Sequence, residues 1–308
     1  MNPIHALLAS LGLLTAVFVG AWGKAVAATR RASGSSTQAN PAADARVPSP
    51  LQIGVGAVTN FFDTLGIGSF ATTTAIFRLK GMVADRIIPG TLNAGHTLPT
   101  VTQAFIYTTV IPVDVLTLVS MIAAAVLGAW LGAGVVAKWP KRKVQVGMAA
   151  ALLAAAAFML MRQLDWFPPG SAEIGVRGGR LAIAIGGNLF LGALMTLGIG
   201  LYAPCMILVS LLGMSEKTAF PIMMGSCAFL MPVGSLRFIR EQSYSLRNAL
   251  GLAIGGVPGV IVAAKIVGSL ELGTVRWLVI VVVVYTAVTM LLSAYSENKT
   301  GASAPVSA

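Results

Sequence analysis

The chain reads as an all-α polytopic membrane protein made of two duplicated repeats, inverted relative to each other. Each repeat carries a glycine-broken, re-entrant helix, and one extra span sits at the amino terminus. Three observations predict this class. Of 308 residues, 56% are hydrophobic and 10% charged, with mean hydropathy +0.84, whereas soluble domains are roughly 25% charged. The apolar residues gather into segments long enough to cross a bilayer, which takes about 20 residues of helix. Finally, the phrase Thr64-Leu65-Gly66-Ile67-Gly68 recurs as Thr196-Leu197-Gly198-Ile199-Gly200 inside a second apolar stretch.

The recurrence extends beyond the phrase. At an offset of 132 residues without gaps, Ile53 pairs with Ile185, Gly54 with Gly186, Ala71 with Ala203, Leu79 with Leu211, Gly81 with Gly213, Met82 with Met214, Pro89 with Pro221 and Leu98 with Leu230, giving 13 identities from 53 to 98. Glycines and prolines are among them, and these residues mark backbone geometry rather than apolar composition. The match is therefore an internal duplication.

Residues 4 to 22 are almost wholly apolar and are followed by Lys24, Arg30 and Arg31. Ala25-Val26-Ala27 has the form of a signal-peptidase site, but no Lys or Arg precedes the apolar run, as a signal peptide would require. An uncleaved first span with an outside amino terminus is expected, within an amino-terminal segment of 1 to 28. From 29 to 50 the composition turns to Ser, Ala, Pro, Gln and Asn, that of a flexible cytoplasmic linker. Apolar segments follow at 51 to 77, 87 to 111, 115 to 137 and 144 to 161 in a first repeat (51 to 162). After a connecting loop (163 to 180), a second repeat (181 to 294) holds segments at 181 to 212, 218 to 236, 248 to 270 and 275 to 294, and a tail covers 295 to 308. The first segment of each repeat contains the Gly-Ile-Gly phrase near its middle. Glycine disfavours a helix interior by about 1 kcal/mol relative to alanine, and glycine-interrupted segments at matching positions of two halves mark transporter binding sites.

The basic residues decide between crossing and turning back. The net charge of +11 and pI near 10.2 come from short clusters between apolar runs, so they read as topology determinants and not as a nucleic-acid surface. If every segment crosses once, one side holds 11 of the 21 basic residues, which is no bias. If the two Gly-Ile-Gly segments turn back, one side collects the linker group, Arg78, Lys80, Arg86, Lys138, Lys141, Arg142, Lys143, Arg237, Arg240, Arg247 and Lys299, or 15 of 21. Each repeat then has one hairpin and three crossings, an odd number, so the second copy enters the membrane upside down.

A half-helix that starts inside the membrane presents free N–H groups and a positive dipole end, which together hold an anion without a buried lysine. Ser69, Thr72 and Thr73 follow the first break, Gly66 and Gly68. Leu201, Tyr202 and Pro204 follow the second, Gly198 and Gly200. The competing reading is that the glycines serve close helix packing. Asp63, just before the first break, is a proton or cation carrier or a cap on the broken helix. Histidine as a residue type titrates near neutrality, which makes His96 a candidate for proton coupling, or else a neutral histidine bonded across a helix interface. Asn60, Asn188 and Gln103 are weaker candidates, and Ser226, Cys227 and Cys205 read as small packing residues.

The paired Gly-x-Gly phrases in a small duplicated permease resemble the TauE/SafE sulfite exporter family, also called the 4-toluene sulfonate uptake permease family, over residues 53 to 294. The fuller family pattern is Gly-x-Gly-Gly-Gly. This chain matches it at Gly66, Gly68, Gly198 and Gly200 and departs from it at Ser69 and Leu201; Pro204 fits, while Thr72 stands at the equivalent place of the first copy. The resemblance implies a multi-pass protein of the cell inner membrane that moves a small anion such as sulfite, sulfoacetate or a related organic acid, generally outward; transport driven by the proton motive force, or passive flux, is expected, with homo-oligomers possible.

The chain has no GxxxxGK[ST] phrase for ATP and no Gly-x-Ser-x-Gly or His-Glu-x-x-His motif, so neither ATP coupling nor an enzyme is expected, and no cofactor is called for. A divalent metal-ion permease is the second transporter reading, drawing on His96, the cysteines and 13 methionines, but the clustered ligands that metal selectivity needs are missing from the sequence. An assembly partner in a membrane complex, docked through the linker, is the third.

Overall fold

Backbone groups in a bilayer must bond within their own segment, and helices are what this sequence supplies. The computed structural model describes residues 3 to 32, 44, 46 to 136, 141 to 166, 173 to 196 and 200 to 266, with isolated residues between 277 and 292. Most of the linker, Lys138, Leu197 to Ile199 (and with them Gly198) and the tail lie outside the described residues. Among the described residues ten α-helices occur in the order α1 Pro3–Ala32, α2 Pro50–Thr64, α3 Ser69–Leu79, α4 Ile88–Val110, α5 Val115–Val136, α6 Lys141–Gln163, α7 Gly178–Met195, α8 Tyr202–Leu211, α9 Glu216–Arg240 and α10 Leu246–Ile266. Five stretches among the described residues are long and apolar enough to cross a membrane: Pro3–Thr29, Val115–Gly132, Gly178–Met195, Lys217–Arg240 and Leu246–Lys265. The chain is a multi-pass membrane protein.

Helix α1 lies at the periphery, holding on through Leu11, Phe18 and Trp22, and runs four residues past the boundary expected at 28. Helix α4 is the opposite case. It is not among the apolar spans, yet Thr91, Asn93, His96, Thr97, Thr100 and Gln103 are all buried. Several of its polar side chains bond to carbonyls one turn back: Thr91 to Ile87, Asn93 to Pro89 and Thr97 to Asn93. A helix this polar is tolerated because protein covers it, and α9 is its main partner.

Local chemistry sets the hairpin arms. Ser49 begins α2 with a capping box, its N–H donating to the Gln52 side chain at 2.7 Å, and Pro50 fills the first turn. The helix ends when Ile67 N–H returns to the Phe62 carbonyl and Gly66 takes φ +84°; Gly68 follows at φ +90°, just before α3. Helices α3 and α8 stop in the same way, Gly81 at φ +59° and Gly213 at φ +78° standing at matching positions of the two halves.

Hydrogen bonds locate the ends of these arms. Near the start of α2, Gln52 donates to Asn248 at 3.2 Å; just past the end of α3, the Met82 carbonyl accepts from the same Asn248 at 3.5 Å. The starts of α4 and α10 gather there too, through Ser245 N–H donating to Thr91 at 2.8 Å and Arg247 donating to the Val47 carbonyl at 3.2 Å. On the second copy, Arg180 near the start of α7 donates to the Leu212 carbonyl just past α8 at 3.4 Å, and Glu173 pairs with Met214. The start of α5 lies at that end as well, with Asp114 N–H donating to the Ile174 carbonyl.

The halves interlock. Helix α2 packs along α10 and α7 along α5, each pair running parallel and in close approach. Gly56 faces the Leu252 backbone, Gly255 and Gly259 face the carbonyls of Ile53 and Ala57, and on the other side Gly128 and Gly192 face those of Leu189 and Ala125. Small residues along such seams let the backbones meet where dispersion, not hydrophobic burial, must hold helices together.

Candidate functional site

The loops between α2 and α3 and between α7 and α8 meet in the interior. Gly200 lies against Phe70 of α3, and Gly66 against Phe220 of α9 and Met206 of α8. Phe220 in turn stacks on Tyr107 of α4, ring centroids 5.3 Å apart.

Asp63, the penultimate residue of α2, sits at this meeting point with 2% of its surface exposed. One carboxylate oxygen accepts the backbone N–H of Ser69, the first residue of α3, at 2.5 Å, and the Ser69 hydroxyl also bonds to this carboxylate. The other accepts from the Gln103 amide at 2.9 Å, and that amide also donates to the Thr64 hydroxyl at 3.0 Å. The Gln103 oxygen accepts from the hydroxyl of Tyr202, the first residue of α8, at 2.6 Å. Tyr107 closes the cluster by donating to the Thr64 carbonyl at 2.8 Å. One continuous chain, Asp63 to Gln103 to Tyr202, therefore joins the end of α2 to the start of α8. None of the ion pairs among the described residues includes Asp63. It is a buried acid held by neutral donors, an arrangement that charge burial makes costly.

This geometry changes what the start of α3 offers. The sequence suggested free amides and a row of hydroxyls after Gly68, yet the first amide is taken by Asp63 and the hydroxyls of Ser69 and Thr72 are engaged locally, Thr72 with the carbonyls of Gly68 and Ser69. Thr73 bonds to His96 at 3.1 Å. Thr74, buried on the same helix, has a hydroxyl with no partner.

His96 is fully buried, beside Phe70 at 5.8 Å between centroids. Its partners fix its tautomer. Asn60 spends its NH2 on the Gly56 carbonyl at 2.8 Å, so its oxygen accepts from His96 Nδ1–H at 3.0 Å, leaving Nε2 to accept the Thr73 hydroxyl. A neutral histidine ties α2, α3 and α4 together here.

The second break differs. Leu201 occupies the cap position of α8 and supplies no side-chain acceptor, and Pro204 lies in the first turn. Leu201 and Tyr202 are buried. Behind them Cys227 donates to the Met195 sulfur at 3.5 Å; both cysteines are free thiols. Asn188, well before this break, donates to the Met121 carbonyl and to Ser226. Among the described residues no group of three or more His, Cys, Asp or Glu side chains could hold a metal ion.

Outside the spans, Asp114 binds Arg177 through both guanidinium nitrogens at 2.6 and 2.7 Å. The guanidinium, helped by the N–H and hydroxyl of Thr117, holds the Asp114 carboxyl well below the usual carboxylate range. No protein-family model, curated protein or solved structure matches this chain.

Gln103 and Tyr107 gain most in weight over the sequence reading. Gln103 follows His96 by seven residues, two helical turns, so both lie on one face of α4. That spacing was the available signal. Tyr107 carried none, because nothing local shows that its hydroxyl reaches the Thr64 carbonyl.

Proposed function

We propose that the protein is a membrane permease of the TauE/SafE type. It moves a small anion, sulfite or a sulfonate such as sulfoacetate, with the anion held where the two helix breaks face each other and with transport linked to protons. One observation carries this reading: two broken segments from the two halves meet in the interior, joined by a buried carboxylate, an amide and a phenol.

Several features support an inverted pair of re-entrant hairpins. Both ends of α2–α3 come to Asn248, and both ends of α7–α8 come together at the other end of α4. Hairpins entering from opposite sides, with their tips adjacent, form the arrangement in which substrate is reached alternately from either face. The same path puts 15 of the 21 basic residues on one side, which is then the cytoplasmic side.

The anion takes the start of α8, because that half-helix has no carboxylate of its own, whereas Asp63 already occupies the start of α3. An ionised Asp63 repels an anion at this spot and a protonated one does not, so proton and anion travel together.

The test is flux from proteoliposomes loaded with sulfite or sulfoacetate, with Gly200→Leu as the control. A Cβ at Gly200 would meet the Phe70 side chain at 3.6 Å, ordinary contact distance, so the added side chain enters the gap between the breaks. Saturable, pH-dependent efflux that Gly200→Leu abolishes is expected. Folded wild-type protein that moves none of these anions would refute the proposal.

A further inference from the structure

The Asp63–Gln103–Tyr202 chain has a direction, and the proton content of Asp63 sets it. With Asp63 ionised, the carboxylate can only accept, so Gln103 turns its NH2 toward it and its carbonyl oxygen toward Tyr202, whose hydroxyl donates. With a proton on the Asp63 oxygen that faces Gln103, two donors would confront each other. The opposed pair is relieved by a half-turn of the Gln103 amide. Its oxygen then accepts from Asp63, and its NH2 donates to the Tyr202 oxygen. Thr64, which accepts from Gln103 while its own hydroxyl donates to the Asn60 carbonyl at 2.7 Å, exchanges that Asn60 bond for one to the Gln103 oxygen by turning its hydroxyl.

We propose that Gln103 is a proton-operated switch: protonation of Asp63 in the first half reverses the hydrogen-bond chain and releases the Tyr202 O–H at the start of α8, where it becomes a donor for the anion. This rests on the permease reading above and supplies its coupling step. One proton is added to Asp63 from water. No covalent bond to hydrogen breaks at Tyr202, whose O–H rotates away from Gln103. The first half then has one negative charge fewer and the second half one donor more, and both changes favour an anion.

The other titratable groups around Asp63 are few. Helix α4 presents Tyr107 and, one layer away, His96. Helix α8 presents Tyr202, whose hydroxyl also lies near the carboxylate, and α9 presents Cys227 with Cys205 behind it. His96 uses both ring nitrogens on Asn60 and Thr73 and does not touch the chain.

The test is infrared difference spectroscopy between alkaline and acidic buffer on the full-length protein in lipid, with ring-labelled tyrosine. A protonated-carboxyl band that is lost in Asp63→Asn is expected, together with a tyrosine C–O shift of the same midpoint that is lost in Tyr202→Phe. Gln103→Leu should keep the carboxyl band and lose the tyrosine shift. Asp63→Asn, whose amide donates to Gln103 as the acid form would, should show the acid-form tyrosine signal at every pH, and this second arm survives if Gln103→Leu does not fold. No carboxyl band, no accompanying tyrosine shift, or a shift that persists in Gln103→Leu would each overturn the switch.

Sulfite binding to the same samples separates this proposal from the broader one. Tyr202→Phe should weaken binding about tenfold at acidic pH, the worth of one hydrogen bond to a charged group, and leave it unchanged at alkaline pH. Equal weakening at both pH values overturns the switch. A working switch in a protein that binds no sulfite at any pH refutes the substrate and leaves the switch standing.

Discussion

Two glycines two residues apart on α2 should respond to alanine in opposite directions. Gly56 faces α10, and a Cβ there would lie 2.7 Å from both the Cα and the carbonyl oxygen of Leu252 and 2.8 Å from the Gly251 oxygen. All three atoms are backbone, so no side chain can swing aside, and the helices must part by roughly 0.7 Å to reach ordinary contact. A gap of that size forfeits a quarter to a half of each dispersion contact along the seam, and overpacking of this kind costs about 1 to 3 kcal/mol. The better helix propensity of alanine returns up to about 1 kcal/mol, so Gly56→Ala should be less stable by up to about 2 kcal/mol. Gly54 meets nothing within 4 Å and lies on the exposed face, so Gly54→Ala should gain about 0.5 to 1 kcal/mol. The assay is reversible unfolding of each variant in mixed micelles, followed by helical circular dichroism. Equal effects of the same sign at the two positions would refute the parallel α2–α10 packing on which the arrangement of the halves rests.

Three further outcomes follow from the same geometry. With Cys205 and Cys227 buried, cysteines placed at Lys80 and Arg247 should react with an impermeant thiol reagent from one face of the membrane, and cysteines at Arg180 and Lys217 from the other; any exchange of sides refutes the hairpin path. His96→Gln should leave the pH profile of flux unchanged while Asp63→Asn flattens it, since only Asp63 belongs to the chain that reaches the second break; proteoliposome flux across pH checks both. The Asp114 carboxyl is depressed in the folded protein by Arg177, so its contribution to stability is full above the ordinary carboxylate pKa of about 3.9 and is lost as pH falls through the depressed value. Arg177→Gln moves that loss to higher pH, and hydrogen exchange over 174 to 180 at pH 4 should be faster in the variant, though modestly, because the pair is partly exposed.

What was legible in the sequence was whatever short-range pattern encodes. The apolar segments of five spans, the glycines Gly66 and Gly68, and the pair Gly81 and Gly213 mark where described helices run and stop. Helix α4 shows the limit. Its Thr, Asn, His and Gln residues lower its hydropathy, and only the packing of α9 and α10 around it explains why so polar a helix lies inside. Asp63 and His96 stood out because ionisable groups in apolar segments are expensive. Their partners did not, because Gln103 and Tyr202 meet Asp63 across 40 and 139 residues of chain, distances that no local pattern spans.

If the scaffold is duplicated as the sequence suggests, its site is unsymmetrical, and this asymmetry limits the proposed mechanism. At the offset of 132 residues, Asp63 corresponds to Met195, Gln103 to Ser235, Tyr202 to Phe70 and His96 to Ala228. On the duplicated reading the two halves each carry a broken helix, but the hydrogen-bonded chain runs in one direction only, from Asp63 at the end of α2 to Tyr202 at the start of α8. A symmetrical pair of carboxylates would place two like charges beside each other in a buried space, where one of them must stay protonated at ordinary pH. With Met195 in that place, a single acid titrates at the junction, so on the proposed mechanism one proton accompanies each turnover. Counting protons against sulfite in voltage-clamped vesicles tests this: one proton per dianion leaves a net movement of one negative charge, and a reversal potential that fits two protons would require a second titrating group besides Asp63 and refute the one-proton step.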